Sequence, residues 1–420
     1  MNQQCLLFHE TRNDQLKIPK HSDGTDFTID KLFDDQLAIV TVVMDKIKEW
    51  VECTDYSRFS PLRMTINGPA GTGKTIVINT LVSLIRNLFQ DNDVAQVCAP
   101  TGAAAFNAGG GTLHHLMSNT PRQVNYEPFS MSTTKQEKLA AQFKHLLCLI
   151  IDERSLLDST LLGISEQMMS ETIFDGALPH ESWGKLPILI LVGDDYQLPS
   201  IGEGAFDVFS SSGWGVSKMT LSGRGVLQEC ANCVMSLKTS KQIQKKRTKD
   251  KQLLQQLRLA SELNEEQIQK LLSLHIDEIK ASHGVTAVSE IKSKSIYLYY
   301  RNHKRIFKNL QRLVEHSNPE NPVAVCRTKS DGQFHGKAIK KHFERSEIPS
   351  SSLLAVESKV AIENKNFCPQ WGLHNGAVGT VKEIVFAEGT SPNAGDLPQY
   401  IVVEFLNYIG PVWDEQNPKV

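Results

Sequence analysis

The sequence predicts an α/β protein of the phosphate-loop nucleoside triphosphatase class, built on a parallel sheet with helices on both faces. Three observations carry this. "GPAGTGKT", Gly68 to Thr75, matches GxxxxGK[ST] and lies between an apolar strand pattern and a helical one. Two further apolar runs, "HLLCLIIDE" and "LPILILVGDD", end abruptly in acids, at Asp152-Glu153 and Asp194-Asp195. These strand patterns alternate with helical stretches, as a parallel sheet requires.

Taken in order, residues 1–28 are polar and poorly patterned, a loosely held leader. From Gln36 the apolar positions Leu37, Val40, Met44, Ile47 and Val51 recur at helical spacing. "LRMTIN" is a strand, "GPAGTGKT" a turn and "IVINTLVSLIRNLF" a helix. "VAQVCAPTG" is a second strand and turn, and residues 117–140 read as a small polar insertion. The acid-tipped third and fourth strands are apolar almost throughout, as in a sheet covered on both faces. This first α/β domain is expected over 29–228. Residues 234–280 are helical and Lys/Gln-rich, and "KSIYLYYRNHKRIFKNLQRL" reads as strand, turn and helix. Residues 229–352 are therefore expected to form a partial second α/β domain. Short strands with turns from Leu353 suggest a β-rich subdomain over 353–420.

The totals limit the partners. Net charge is −2, so no global field steers the chain to nucleic acid, and any such surface is local. No apolar run is long enough to span a bilayer. The start lacks an apolar signal core, so secretion is not expected. Eight scattered cysteines suit a reducing compartment. Cys230 and Cys233 have zinc spacing, but no second pair lies nearby to complete four ligands.

The chemistry concentrates at the strand ends. Gly68, Pro69, Ala70, Gly71, Thr72 and Gly73 would turn backbone N–H groups toward phosphate oxygens at a helix N-terminus. Lys74 would reach the β- and γ-phosphates of ATP, and the Thr75 hydroxyl would hold Mg²⁺ together with Asp152. Glu153 is placed to orient and deprotonate the attacking water. Gln197 would sense the γ-phosphate, with Asp194 and Asp195 near the Mg²⁺ and Pro199 stiffening the turn. Tyr297 and Tyr299 alternate along a strand and are expected to pack into a core rather than stack on bases.

"GPAGTGKT", "APTGAAAFNAGGGTLHHL", "LIIDERSLLD" and "VGDDYQLPSIG" resemble the successive motifs of the petite-integration-frequency DNA helicases, superfamily-one 5′-to-3′ translocases related to RecD. "TLSGRG", "YLYYRNHKRIFKNLQRL" and "GLHNGAVGTVKEI" extend the resemblance across about 30–410. It implies a pair of RecA-like folds, MgATP hydrolysis, and binding of single-stranded DNA and duplex junctions by a monomer. It also implies roles in repair, recombination or telomere maintenance, in the nucleus or the mitochondrion. By the same resemblance Gln36 contacts adenine, Thr101 and Gly102 touch the DNA backbone, His114 starts a DNA-facing helix, and Gln197 couples γ-phosphate state to domain closure. For Gln36 and His114, a surface helix glutamine and a packed structural histidine remain open.

The family's arginine that reaches ATP from the second unit has no clear counterpart. Lys241 or Arg247 stands nearest, within a basic run from Lys238 to Arg258 whose simplest reading is a solvated helix face. "KKRTKDK" also fits a nuclear import tract. No segment after 380 matches the family's two final motifs, so the chain is expected to be truncated relative to the family, to bind ATP and to hydrolyse it slowly. A non-unwinding ATP- and DNA-binding remnant, and a phosphate-loop ATPase of another class acting on protein, are the alternatives.

Overall fold

The structure is a computed structural model that describes residues 31–118, 131–172, 181–198, 200, 217–239, 248–259, 261–327, 351–362, 367–368, 371–390 and 396–411. The expected leader, most of the basic run including Lys241 and Arg247, and Pro199 lie outside the described residues. Contacts divide the chain into two units, Met1–Leu263 and Asn264–Val420.

In the first unit the described elements run α1 (Asp34–Glu52), β1 (Leu62–Asn67), α2 (Lys74–Phe89), β2 (Ala95–Ala99), α3 (Gly102–Asn107), β3 (Gly111–Thr112), α4 (Leu113–Leu116), α5 (Thr133–Phe143), β4 (Cys148–Ile151), α6 (Ser159–Thr172), β5 (Ile188–Gly193), α7 (Lys218–Cys230), β6 (Val234–Ser236) and α8 (Thr248–Arg258). The six strands form one parallel sheet in the order β3-β2-β4-β5-β1-β6. This is the α/β phosphate-loop fold that the sequence predicts.

The two acid-tipped runs form β4 and β5, which are buried at every position. Successive side chains of a strand point to opposite faces, so a strand covered on both sides must be apolar throughout. Along β5, Ile188, Ile190 and Val192 pack with α1 and α2, against Ile39, Val43, Ile78 and Leu81. Leu189 and Leu191 pack on the other face with Leu139, Phe143, Leu162 and Leu227, from α5, α6 and α7.

Several boundaries differ from the sequence reading. Residues 133–143 are helix rather than polar insertion: Ser132 caps the first turn and Leu139 and Phe143, four apart, are buried. On α1 the buried face includes Gln36 and leaves Leu37 exposed. The division by contacts falls at Leu263/Asn264, later than the expected 228/229. The reason is pairing: β6 adds to β1, and the backbone N–H groups of Lys238 and Thr239 donate to the Asp35 carboxylate at 2.7 and 3.1 Å. The helical reading of 234–280 is also broken, by β6 at its start.

The second unit, taken by itself, contains α9 (Glu265–Ser273), α10 (Ile276–Lys294), α11 (Asn302–His316), an antiparallel pair of β7 (Ala324–Arg327) and β8 (Ser351–Leu354), and an antiparallel sheet of β9 (Lys359–Ala361), β10 (Val378–Val385) and β11 (Tyr400–Phe405) in the order β11-β10-β9. The helix expected in "RNHKRIFKNLQRL" forms, but the strand expected before it does not. A strand persists only when neighbours satisfy its backbone, and none among the described residues pairs with 295–300. Core packing of its tyrosines fails with it. Tyr299 and Tyr300 are exposed, while Tyr297 donates its hydroxyl to Lys292 O and lies under the Lys308 ammonium.

Helices α6 and α7 touch backbone to backbone. A Cβ on Gly163 would stand 2.0 Å from Met219 O, and one on Gly223 1.8 Å from Ser159 O. Gly163→Ala should therefore destabilise the first unit by about 2 kcal/mol or more, read as a lower urea midpoint. Gly225→Ala, on α7 with nothing within 4 Å, should leave stability unchanged or raised by roughly 0.5 kcal/mol, because alanine restricts the unfolded helix segment.

Candidate active site

The phosphate loop is already shaped as a cradle. Gly68 N–H donates to Gly193 O at 3.0 Å, binding the tip of β1 to the tip of β5. Gly71 and Gly73 sit at φ 80° and 84°, where a side chain would be strained. Thr72 closes the loop by donating its hydroxyl to Pro69 O at 2.8 Å. A Cβ on Gly73 would stand 2.4 Å from Gln36 Nε2, so glycine is needed there for close approach as well.

Lys74 opens α2 with Thr75 behind it. Its ammonium turns back into the loop and donates to Gly68 O at 2.8 Å and Pro69 O at 3.3 Å. These carbonyls hold the cation where phosphate oxygens would otherwise neutralise it. Gln36 is buried rather than at the surface. It accepts Phe33 N–H at 3.1 Å and donates to Thr72 O at 2.9 Å, and so buttresses the loop from the start of α1.

The tip of β4 carries the acids. Asp152 N–H donates to Cys98 O at 2.9 Å, and Asp152 Oδ1 accepts Glu153 N–H at 2.8 Å. Glu153 adopts φ 53°, an uncommon conformation for a non-glycine residue and typical of sites where a side chain must be aimed. Its Oε2 is buried without a hydrogen-bond partner among the described residues. Burial pushes both carboxyls above their ordinary range. Asp152 adds repulsion to Glu153, while the Lys74 charge opposes the rise in each. Asp194 also acts on Glu153, so acids from β4 and β5 and the phosphate-loop lysine share one field.

The turn after β5 is organised differently from the sequence reading. Asp195 pairs with Arg154, from the turn after β4, and accepts Asn67 Nδ2–H at 2.6 Å from the tip of β1. Asp194 pairs through both oxygens with Arg258, the last residue of α8. Both acids expected near Mg²⁺ thus have guanidinium partners. Sequence reasoning missed these arginines. Arg154 stood beside a recognised motif unremarked, and Arg258 was placed in a solvated charge run. The signal available for Arg258 was the apolar spacing of its helix, on which Leu253 is buried. Gln197 is half-buried in the same turn, and its N–H donates to Asp194 O at 3.1 Å.

Thr101, Gly102 and His114 lie beyond the tip of β2. The Thr101 hydroxyl caps α3 by accepting Ala104 N–H at 3.3 Å, and Gly102 is buried. His114 is half-buried on α4, and burial lowers its proton affinity against the pull of Asp158.

A family model described as an AAA domain matches residues 57–203, the span from before β1 to just past the β5 turn. The ATP-dependent DNA helicase RRM3 of Saccharomyces cerevisiae is 30% identical over 136 residues, 32% of this chain and 18% of that protein. The ATP-dependent DNA helicase PIF1 of the same species is 28% identical over 136 residues, 15% of its length. Over these residues the chain is similar to Pif1-type helicases. Its aligned part spans less than a fifth of either Saccharomyces helicase. Among solved structures, Pif1 helicase from Candida albicans matches with TM-score 0.58 at 19% identity, covering 89% of this chain and 76% of that one. Bacteroides Pif1 bound to single-stranded DNA matches at 0.51 and 17%, covering 91% and 73%. At these identities the Pif1 structures establish likeness of fold.

A carboxyl held above its ordinary range costs stability when ionised. Stability therefore falls as pH rises through the window above the ordinary value of 4.5 for Glu153. Glu153→Gln should accordingly raise the thermal midpoint of the nucleotide-free protein at about pH 7.5, with the gain fading toward about pH 4, where the wild-type carboxyl is protonated in both states. Differential scanning calorimetry at the two pH values checks this.

Proposed function

We propose that this chain is an ATP-hydrolysing motor that moves along single-stranded DNA and opens duplex at junctions. The observation that carries the reading is Glu153: half-buried, its carboxyl above its ordinary range, its Oε2 buried and without a hydrogen-bond partner among the described residues, beside Asp152 and within the field of Lys74. Native folds rarely leave a buried polar atom unsatisfied without a functional reason.

The residues fit a magnesium-bound triphosphate. Entry of the phosphates draws the Lys74 ammonium off the Gly68 and Pro69 carbonyls and onto phosphate oxygens. The loop N–H groups and the start of α2 neutralise the remaining charge. Thr75 and Asp152 are the residues that would hold Mg²⁺, which would supply charge neutralisation to the triphosphate. Glu153 takes the proton of the attacking water, and its raised proton affinity brings it nearer the pH at which a general base works best. Gln197 contacts the γ-phosphate or its water from the β5 turn. Gln36 sets the loop through Thr72 O, and the resemblance to the helicase family would make it a contact to adenine. Thr101, having accepted the capping bond, keeps its hydroxyl proton to donate to a DNA phosphate, beside Gly102 and His114.

Monomeric action, a nuclear or mitochondrial location, and work in repair, recombination or telomere maintenance complete the proposal. They rest on resemblance to the helicase family. No helix of the described residues is long and apolar enough to cross a membrane.

The test is ATP turnover with and without single-stranded DNA, alongside strand displacement on a forked duplex. Wild-type turnover should rise with DNA, and Lys74→Ala or Glu153→Gln should lower it by about 10³-fold or more. Turnover indifferent to DNA and stimulated by protein would replace the motor with a remodelling ATPase. Tight nucleotide binding without displacement would reduce it to a binding module.

A further inference from the structure

Arg258 lies 64 positions from Asp194 in the chain, yet its two terminal nitrogens meet the two oxygens of that carboxylate. The Asp194 side chain is 3% exposed. A buried carboxylate is tolerated only when its charge and lone pairs are answered, and a planar guanidinium fork answers both oxygens at once. Asp194 accepts two further bonds within its own turn, one on its carboxylate and one on its backbone carbonyl. Asp194 Oδ1 accepts Tyr196 N–H at 3.0 Å, and the Asp194 carbonyl accepts Gln197 N–H at 3.1 Å. The Arg258 guanidinium also lies 4.7 Å from the centre of the Tyr196 ring, which is otherwise 57% exposed. One side chain from α8 therefore fixes the acid, the ring and the backbone of the turn that presents Gln197.

We infer that Arg258 is a positioning residue for the Asp194–Gln197 turn, setting through Asp194 and Tyr196 where Gln197 meets the terminal phosphate. This rests on the ATP-hydrolysis reading above. Arg258 itself touches no reacting atom. Its effect belongs in the hydrolytic step rather than in nucleotide capture, because the phosphate loop and Lys74 lie on other elements. Asp194 is correspondingly held by an arginine instead of being free for a cation. Lysine cannot replace the fork, since it offers a single ammonium and no planar face to the ring.

The experiment has two arms. Steady-state ATPase with single-stranded DNA compares wild type, Arg258→Gln, Asp194→Asn and the double variant. Arg258→Gln should lower kcat by about 10- to 100-fold with KM for ATP within about threefold, and the double should be no worse than the poorer single. The second arm needs no turnover. Hydrogen exchange in Arg258→Lys, the conservative variant, should quicken by about tenfold or more at the Tyr196 and Gln197 amides, while the amides of β1 and β5 keep wild-type protection. Wild-type kcat in Arg258→Gln, a loss confined to KM, or unchanged exchange at both turn amides in Arg258→Lys overturns the inference. A wild-type chain that hydrolyses no ATP overturns the proposed function instead, and the exchange arm then decides Arg258 alone.

Discussion

The tips of β1, β4 and β5 are cross-linked, and the candidate site exists only because they are. A parallel sheet brings its carboxyl-end loops to one edge, but it does not fix their side chains. Here backbone does part of that work, through Gly68 N–H on Gly193 O. Asp195 does the rest by accepting from Asn67 and pairing with Arg154. Asp195 is half-exposed, so the pair adds modestly to stability. Its value is geometric, because Arg154 directly follows Glu153 and Asp195 directly follows Asp194. Locking that pair fixes the spacing of the two acid-bearing turns. Gly193 belongs to the same joint: a Cβ there would stand 3.0 Å from Arg154 N and Cβ.

Electrostatics at this joint run against stability and toward chemistry. Asp152 and Glu153 lie side by side in the field of one ammonium, and burial raises both of them. Such an arrangement survives because the two sheet faces are packed with large aliphatic side chains whose burial is worth about 1.5–3 kcal/mol each. The strain of Glu153 in the left-handed region is carried by the same core. Lys74 shows the compromise most directly. Its ammonium donates to two backbone oxygens of the loop, so the loop's own carbonyls answer its charge.

The sheet was legible because strands buried on both faces write themselves as continuous apolar runs, and their ends are marked by glycines and acids. The placement of the phosphate loop, Asp152 and Glu153 at the strand ends was legible for the same reason: local spacing marks where each strand stops. Arg154 and Arg258 were not, because an arginine's partner is set by where the chain returns rather than by its neighbours in sequence. The strand expected at 295–300 shows the opposite failure. Alternating tyrosines satisfy the local pattern, yet a strand also needs a neighbour that no local pattern supplies. Helix Thr133–Phe143 was hidden because only two of its positions, Leu139 and Phe143, are buried.

The first turn of α1 joins two things that are far apart in sequence. Gln36 grips the phosphate loop at Thr72 O, and the adjacent Asp35 accepts the backbone N–H groups of Lys238 and Thr239. Those N–H donors hold the Asp35 carboxylate below its usual range although burial works the other way. The two grips are a single peptide bond apart, on a helix that cannot stretch between them. Any rearrangement of the loop that moves the Thr72 carbonyl therefore tugs on the chain just where it leaves the sheet, at Lys238 and Thr239.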